Sequence, residues 1–443
     1  MGTISTGENS GVKIAWMKRL ALFSVACFAL TVGKAEQKPS PAQRTRDFVV
    51  VDGQHLVSGD GVEFHIRAIG TGSTASDPLE KEYEEIARLK FNAVTVFLSY
   101  KRFYNEAGPE KYIDVGWKRL ERHLAFARKY GLRVVLQMLI IEGAQFVPTK
   151  GEAFDYRIWV QPELQERFLK LWEAIAQRYK DESQIIGYGI FAEPVASGTR
   201  QQWIDLANKT VARIRKIDNH HIIFVERLYG EFGTRREMAG LDLAPERAFF
   251  VVPDPNVVYQ FYFFERDEYT HQHAPWREDR DIGIHYPDPR FEIVYREAVN
   301  DRGRVFPFDK NYLKFYLQRQ LEFGAKHKVP MFVWSFGLTK SCFEGQGDWN
   351  GCATRPHYSV STTSTGASDL IVMMTQASAI ILKRCESCHP QPSPVSAAGA
   401  RSYSCARRRD RSARDRCARL WPFRPQRLRP SNNFFAKKSN SPR

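Results

Sequence analysis

The order of elements in this sequence predicts an α/β fold closed as a (β/α)8, or TIM, barrel. Two observations carry that reading. Short β-branched and aromatic runs recur from Phe48 to Gly337, mostly separated by stretches with helical amphipathic spacing. No glycine-rich phosphate loop follows the first strand, which argues against the alternative, an open doubly wound sheet. Repeated right-handed strand–helix–strand crossovers close most naturally into a barrel, and a barrel carries its chemistry at the C-terminal ends of its strands.

The elements follow in order. "FVVVDGQHLV" and "GVEFHIRAIG" read as short strands around glycine turns, a hairpin lid and then the first core strand. "DPLEKEYEEIARLK" is an amphipathic helix whose first turn is acidic, which suits the positive end of the helix dipole. "FNAVTVFLSY" is a β-branched strand. "GWKRLERHLAFARKYGL" is a helix stopped by Gly131, and strand "RVVLQMLII" comes next. "PELQERFLKLWEAIAQRYK" leads into strand "IIGYGIF", and "QQWIDLANKTVARIRKID" into strand "HIIFVE". An irregular segment from Tyr229 to Pro255 replaces one helix. Strand "NVVYQFYFF" precedes a long polar loop, and helix "NYLKFYLQRQLEFGAKHK" precedes strand "PMFVWSFG". That makes seven core strands. The eighth is doubtful, because after Gly345 only "LIVMMTQASAIIL" (residues 370–382) is apolar for long enough to be an element.

The ends of the chain differ from this body. Lys18 and Arg19 precede an apolar run from Leu20 to Val32, and Gly33-Lys34-Ala35 offers a small-residue cut site. We read residues 1–35 as an export signal rather than a permanent anchor, since the run is short for a bilayer, and residues 36–46 as a linker. Secretion or delivery to a periplasm follows, with no membrane span left after signal removal. Cys27 within the run could be read as a lipidation site, but the apolar residues continue past it.

Of the net charge of +15, +13 lies in residues 383–443, so the body is nearly neutral and no specific nucleic-acid binding is expected. That Arg/Pro-rich tail reads as disordered, and its abrupt composition suits a reading-frame change in the gene. Residues 47–345 are then the barrel, and 346–382 a possible last barrel element. No cysteine occurs between Glu36 and Ser341, so the core does not depend on disulfides. "CESCH" (Cys385, Cys388, His389) matches the C-x-x-C-H haem-attachment pattern. No methionine or second histidine follows it, and we read it as a chance pattern.

Several stretches together resemble glycoside hydrolase family 5, the endoglucanase and endomannanase type of barrel. "FVVVDGQHLVSGDGVEFHIRAIG" is similar to that family's N-terminal hairpin and first strand. "IIGYGIFAEP" resembles its fourth strand, "NVVYQFYFFERDEYTHQHAPW" its sixth, and "VPMFVWSFG" its seventh. The resemblance implies retaining hydrolysis of β-linked polysaccharide by two carboxyls, without metal or organic cofactor, in a monomer. It places the acid/base on Glu193 and the nucleophile position on Ser335. A serine there supplies no charge for an oxocarbenium-like centre, and no adjacent base is evident to activate it. The strand-four Asn of the family falls on Ala192, the strand-six His and Tyr on Tyr262 and Phe264, the strand-two Arg on Thr95, and the strand-three His on Leu139.

The sequence therefore predicts a lone acid in an aromatic mouth. Hydrolysis would be weakened or lost, leaving either a non-catalytic carbohydrate-binding barrel or the product of a disrupted hydrolase gene. Tyr259, Tyr262, Phe264, Trp276 and Trp334 are the aromatic residues expected at the mouth; Tyr262, Phe264, Trp276 and Trp334 are the candidate sugar contacts. "YGEFGT" spells the nucleophile tetrapeptide around Glu231, but it comes just after strand five and reads as loop. Glu226, ending strand five, and Glu265, after strand six, are lesser carboxylate candidates.

Overall fold

A computed structural model describes residues 47–104, 112–144, 155–231, 243–271, 283–297, 302–337 and 360–363. The export signal, the linker, residues 370–382, the C-x-x-C-H pattern, the basic tail and Trp276 lie outside the described residues. The chain divides into two units, Met1–Cys388 and His389–Arg443; the barrel belongs to the first, and the second lies wholly outside the described residues.

Eight strands close a barrel, seven of them parallel. The parallel strands are β3 (Arg67–Ser73), β4 (Ala93–Ser99), β5 (Arg133–Ile140), β6 (Ile185–Gly189), β8 (Ile222–Glu226), β10 (Val257–Phe263) and β13 (Met331–Phe336). These are the seven strands that the sequence predicts. Helices α1 (Glu80–Arg88), α2 (Asp114–Lys129), α3 (Pro162–Tyr179), α4 (Arg200–Arg215) and α7 (Lys310–His327) cross between them, while two four-residue helices, α5 (Pro245–Ala248) and α6 (Asp267–Thr270), sit in the connections around β10.

Local chemistry sets the helix limits. Pro162 opens α3 where no backbone N–H is required, and a capping box of Thr199 with Gln202 starts α4. Asp309 accepts from the backbone N–H groups of Asn311 and Tyr312 at the head of α7.

The strand that closes the barrel comes from within residues 346–382. Val360–Thr363, β14, lies between β13 and β3 and runs antiparallel to both, where an ordinary barrel of this type is parallel throughout. A second departure lies in the long polar loop expected after strand six. It contains the hairpin of β11 (Asp288–Tyr295) and β12 (Arg304–Phe308), joined in antiparallel register. Ile293 and Tyr295 alternate inward there and join Phe308 in the main core.

Two apolar layers follow from the pleat. The outer faces of the strands pack on the helices, with Trp172, Trp203, Tyr83 and Tyr188 fully buried. The inner faces form a separate cluster that includes Ala93, Val135, Ile186, Phe224, Val258 and Phe332. The predicted N-terminal hairpin, β1 (Val50–Asp52) with β2 (His55–Val57), adds Val49 and Leu56 to this inner cluster. The Val51 amide donates to Asn256 and the Gln54 side chain to the Gly324 carbonyl, which places the hairpin under the N-terminal ends of β10 and β13. The opposite end, where the parallel strands finish, is the end at which a barrel of this kind carries a site.

Candidate active site

Alternation along the strands decides what lines the barrel below its mouth. Two residues on from Ala93, Val135, Phe224 and Val258 stand Thr95, Gln137, Glu226 and Gln260, all buried. A polar layer thus caps an apolar one. Gln260 Nε2 donates to Gln137 Oε1 at 2.9 Å and to Glu226 Oε2 at 3.1 Å. Thr95 Oγ1, Gln137 Nε2 and Gln260 Oε1 are buried with no partner among the described residues. Gly189 leaves room for this layer, since a Cβ there would meet Gln137 Oε1 at 1.9 Å.

Glu193 stands above, four residues past the end of β6, with a φ of 52°. The left-handed region costs a residue with a Cβ roughly 1–2 kcal/mol, so its neighbours must hold it there. They do so on both sides. The Ala192 amide donates to Met138 O at 2.9 Å, and the Tyr229 amide donates to Pro194 O at 2.9 Å. The Trp172 indole N–H fixes the Ile190 carbonyl at 3.0 Å.

Residues 190–196 and 224–231 run side by side. The Ile190 amide donates to Phe224 O at 3.2 Å, and further on β7 (Val195–Ala196) pairs in parallel with β9 (Gly230–Glu231). Glu226 ends β8 within this track, and Trp203 on α4 donates to its carbonyl at 2.9 Å. Its carboxylate is 1% exposed and faces the Glu193 backbone N–H, the Trp334 indole N–H and the Gln260 amide. Burial, then the negative charge of Glu193, pushes the Glu226 carboxyl well above the usual carboxylate range. Glu226 is therefore a second carboxyl near Glu193, buried below the mouth. The expectation of a single acid is corrected by a residue that the sequence gave little weight. The available signal was that "IIGYGIFAE" and "HIIFVE", adjacent strands of the predicted barrel, both run from apolar residues into Glu.

Glu231, by contrast, pairs through its backbone with Ala196 in β9 rather than lying in a loop. Glu265 accepts a hydrogen bond from the Tyr312 hydroxyl, and the positive charge of Arg266 lies beside it. Glu142, after β5, is clamped by Arg167 at 2.6 and 2.9 Å and by the Tyr104 hydroxyl at 3.1 Å, a pairing that fixes its loop.

Ser335 is buried on β13. The register between β10 and β13 shifts at this point: Phe261 lies opposite Val333 but Tyr262 opposite Ser335, which leaves Trp334 as the extra residue of a bulge. Ser335 thus shares a face with Tyr262, and what it presents there is a hydroxyl. Ala192 and Leu139 join the inner apolar cluster as their types dictate.

The aromatic candidates separate. Tyr262 is half-buried, and its ring lies parallel to Tyr229 with centroids 4.1 Å apart; its backbone N–H donates to the Tyr229 hydroxyl at 2.7 Å. Phe264, also half-buried, tilts against Tyr262 at 5.6 Å. Trp334 is 4% exposed and packs edge-on against Phe97, so it offers little ring face to a sugar. Tyr259 faces outward into the helical core, its hydroxyl accepting from the Val252 amide at 2.8 Å, and does not belong to the mouth.

The family model for cellulase (glycosyl hydrolase family 5) matches residues 57–338. Endoglucanase C of Acetivibrio thermocellus is 26% identical over 270 residues, which cover 58% of this chain and 74% of that one. Cellodextrinase A of Ruminococcus flavefaciens is 30% identical over 203 residues, covering 45% and 55%. Among solved structures, Thermotoga maritima Cel5A in complex with cellobiose aligns with a TM-score of 0.47 at 21% identity, covering 68% of this chain and 83% of that one.

Proposed function

The chain belongs to glycoside hydrolase family 5, and from that premise we propose that it binds β-linked glucan or mannan chains across the open end of the barrel. In this reading Glu193 is the proton donor of the site, and cleavage is far slower than in a barrel with two accessible carboxylates. The observation that carries it is the position of Glu193: a left-handed residue just past a barrel strand, held by flanking hydrogen bonds and set against a buried second carboxyl. The names of the endoglucanase relatives support glucan as the substrate class.

Ser335 stands where the second accessible carboxylate would be needed. A retaining site requires two carboxyls about 5–5.5 Å apart that both reach the sugar. Glu226 is too deeply covered to take the nucleophile's part, so the acid half of the chemistry is retained without the nucleophilic half. Tyr262 and Phe264 are the rings on which a sugar face would stack. The charged run before Leu20 supports export, which would bring the protein to extracellular polysaccharide.

The test is calorimetric titration with cello- and manno-oligosaccharides, coupled to reducing-end release from soluble β-glucan. The reading expects binding, with slow release abolished by Glu193→Gln at unchanged affinity. Absence of binding to both oligosaccharide series would overturn it.

A further inference from the structure

We propose that the floor of the barrel mouth seats an aromatic group, so that the glycan held across it is a β-glycoside of a phenol, with the aryl ring buried and the sugars outside. The proposal rests on the glycan reading given above and deepens it by naming what the sugars carry. The pleat that builds the polar layer also dictates what stands over it. Two residues on from Thr95, Gln137 and Gln260 come Phe97, Leu139 and Tyr262, each half-buried and each packed against the inner cluster. Trp334 and Ala192 belong to that cluster too, and the Trp334 indole meets the Phe97 ring edge-on with centroids 6.3 Å apart. The barrel interior is therefore layered apolar, polar, apolar, and the uppermost layer is the one that a ligand meets.

The make-up of that layer selects the ligand. Phe97 on β4, Leu139 on β5 and Ala192 just after β6 carry no side-chain donor or acceptor, so three neighbouring strands present only carbon at this level. A pyranose ring pressed onto them would give up the water on its hydroxyls and gain no partner on that side. A phenyl ring loses nothing there, and it gains apolar burial together with ring contacts to Phe97 and Tyr262. The polar groups stand to one side. Glu193 follows Ala192, and the Ser335 hydroxyl shares a face with Tyr262 where β10 meets β13. Tyr262 marks the boundary, held in place by Tyr229, which lies parallel to it at 4.1 Å. A phenolic glycoside divides in the same way, with carbon at one end, hydroxyls at the other and the linking oxygen between them. A pocket that is mostly apolar with a few polar groups at one edge suits such a molecule better than a bare sugar.

The experiment compares phenyl β-cellobioside with methyl β-cellobioside by calorimetric titration of the full-length protein, as wild type and as Leu139→Asn. We expect the phenyl compound to bind the wild type about tenfold more tightly or better. Tenfold is ~1.4 kcal/mol, which the burial of roughly 55 Å² of apolar surface supplies. Leu139→Asn should abolish most of that preference, because it sets a polar amide against the aryl ring. A preference that survives intact in the folded variant overturns the proposal. If Leu139→Asn does not fold, the wild-type comparison decides, since equal affinity for the two compounds is equally fatal. Equal binding would remove the aromatic seat and leave the glycan reading standing. Failure of both compounds to bind would remove the glycan reading, and the proposal with it.

Discussion

Replacing Glu226 by Gln keeps the shape and the hydrogen bond from Gln260 but deletes a titrating group, so the change should show in how stability varies with pH. The carboxyl of an unfolded glutamate titrates near 4.5, and in the fold burial and Glu193 raise it well above that. Between those two values the native state holds a proton that the unfolded state has lost. Stability from this group is fully present below the unfolded value and is lost as pH rises through the folded one. The slope approaches one proton, about 1.4 kcal/mol per pH unit. Within that window the wild type loses stability from this residue as pH rises, and Glu226→Gln loses none of it. Urea unfolding at half-unit intervals from pH 5 to 8, on both proteins, measures the difference. The mutant should become the more stable of the two toward the alkaline end. Parallel curves would refute the reasoning, since they would mean that Glu226 is already ionised in the fold.

Other perturbations test the remaining parts. Ser335→Glu restores a carboxylate on β13 beside Tyr262 and should speed reducing-end release about tenfold or more, equivalent to ~1.4 kcal/mol of barrier; an unchanged rate would show that the strand is not aimed at the sugar. Trp203→Phe leaves the Glu226 carbonyl without its indole donor and should cost about 1–3 kcal/mol in denaturant unfolding. Asp218, fully buried with His221 at 2.5 Å and the Tyr188 hydroxyl at 2.8 Å, is held down to about 2 by those partners despite its burial. Its contribution of about 2 kcal/mol is present above the ordinary Asp value of 3.8 and is lost as pH falls through about 2; Asp218→Asn should remove that acid-side loss in melts between pH 2 and 5. Gly187→Ala would drive a Cβ to 2.1 Å from the Ile222 carbonyl, a backbone atom, and should destabilise the barrel by about 1–3 kcal/mol, read as a lower melting temperature.

Much of the frame was legible because its signals are local. Val94, Val96, Val134 and Val135 announce buried strands, and Pro162 and Thr199 announce helix starts, without reference to distant residues. The β11 hairpin was legible in principle: "RFEIVY" alternates, but charged residues on its outer face hid the period. β14 was not. "VSTT" is short and largely polar, and its place is set by the gap between β3 and β13. The site divides along the same line. Glu193 was visible because a proline and an apolar strand bracket it. The approach of its segment to that of Glu226 depends on two strand ends meeting, and on burial that no single stretch encodes. The misplacement of Tyr259 and the covering of Trp334 have one origin: an aromatic residue in a strand does not declare which face it takes, and the bulge at Trp334 changes the count.

The antiparallel β14 has a consequence for handling the protein. Among the described residues, four cover the seam between the first and last parallel strands, and they follow Phe336 only after a stretch of 23 residues. A version cut before Val360 would expose two rows of backbone donors and acceptors facing one another across an open slot, each a template for a strand from another molecule. Such a protein would self-associate through its seam.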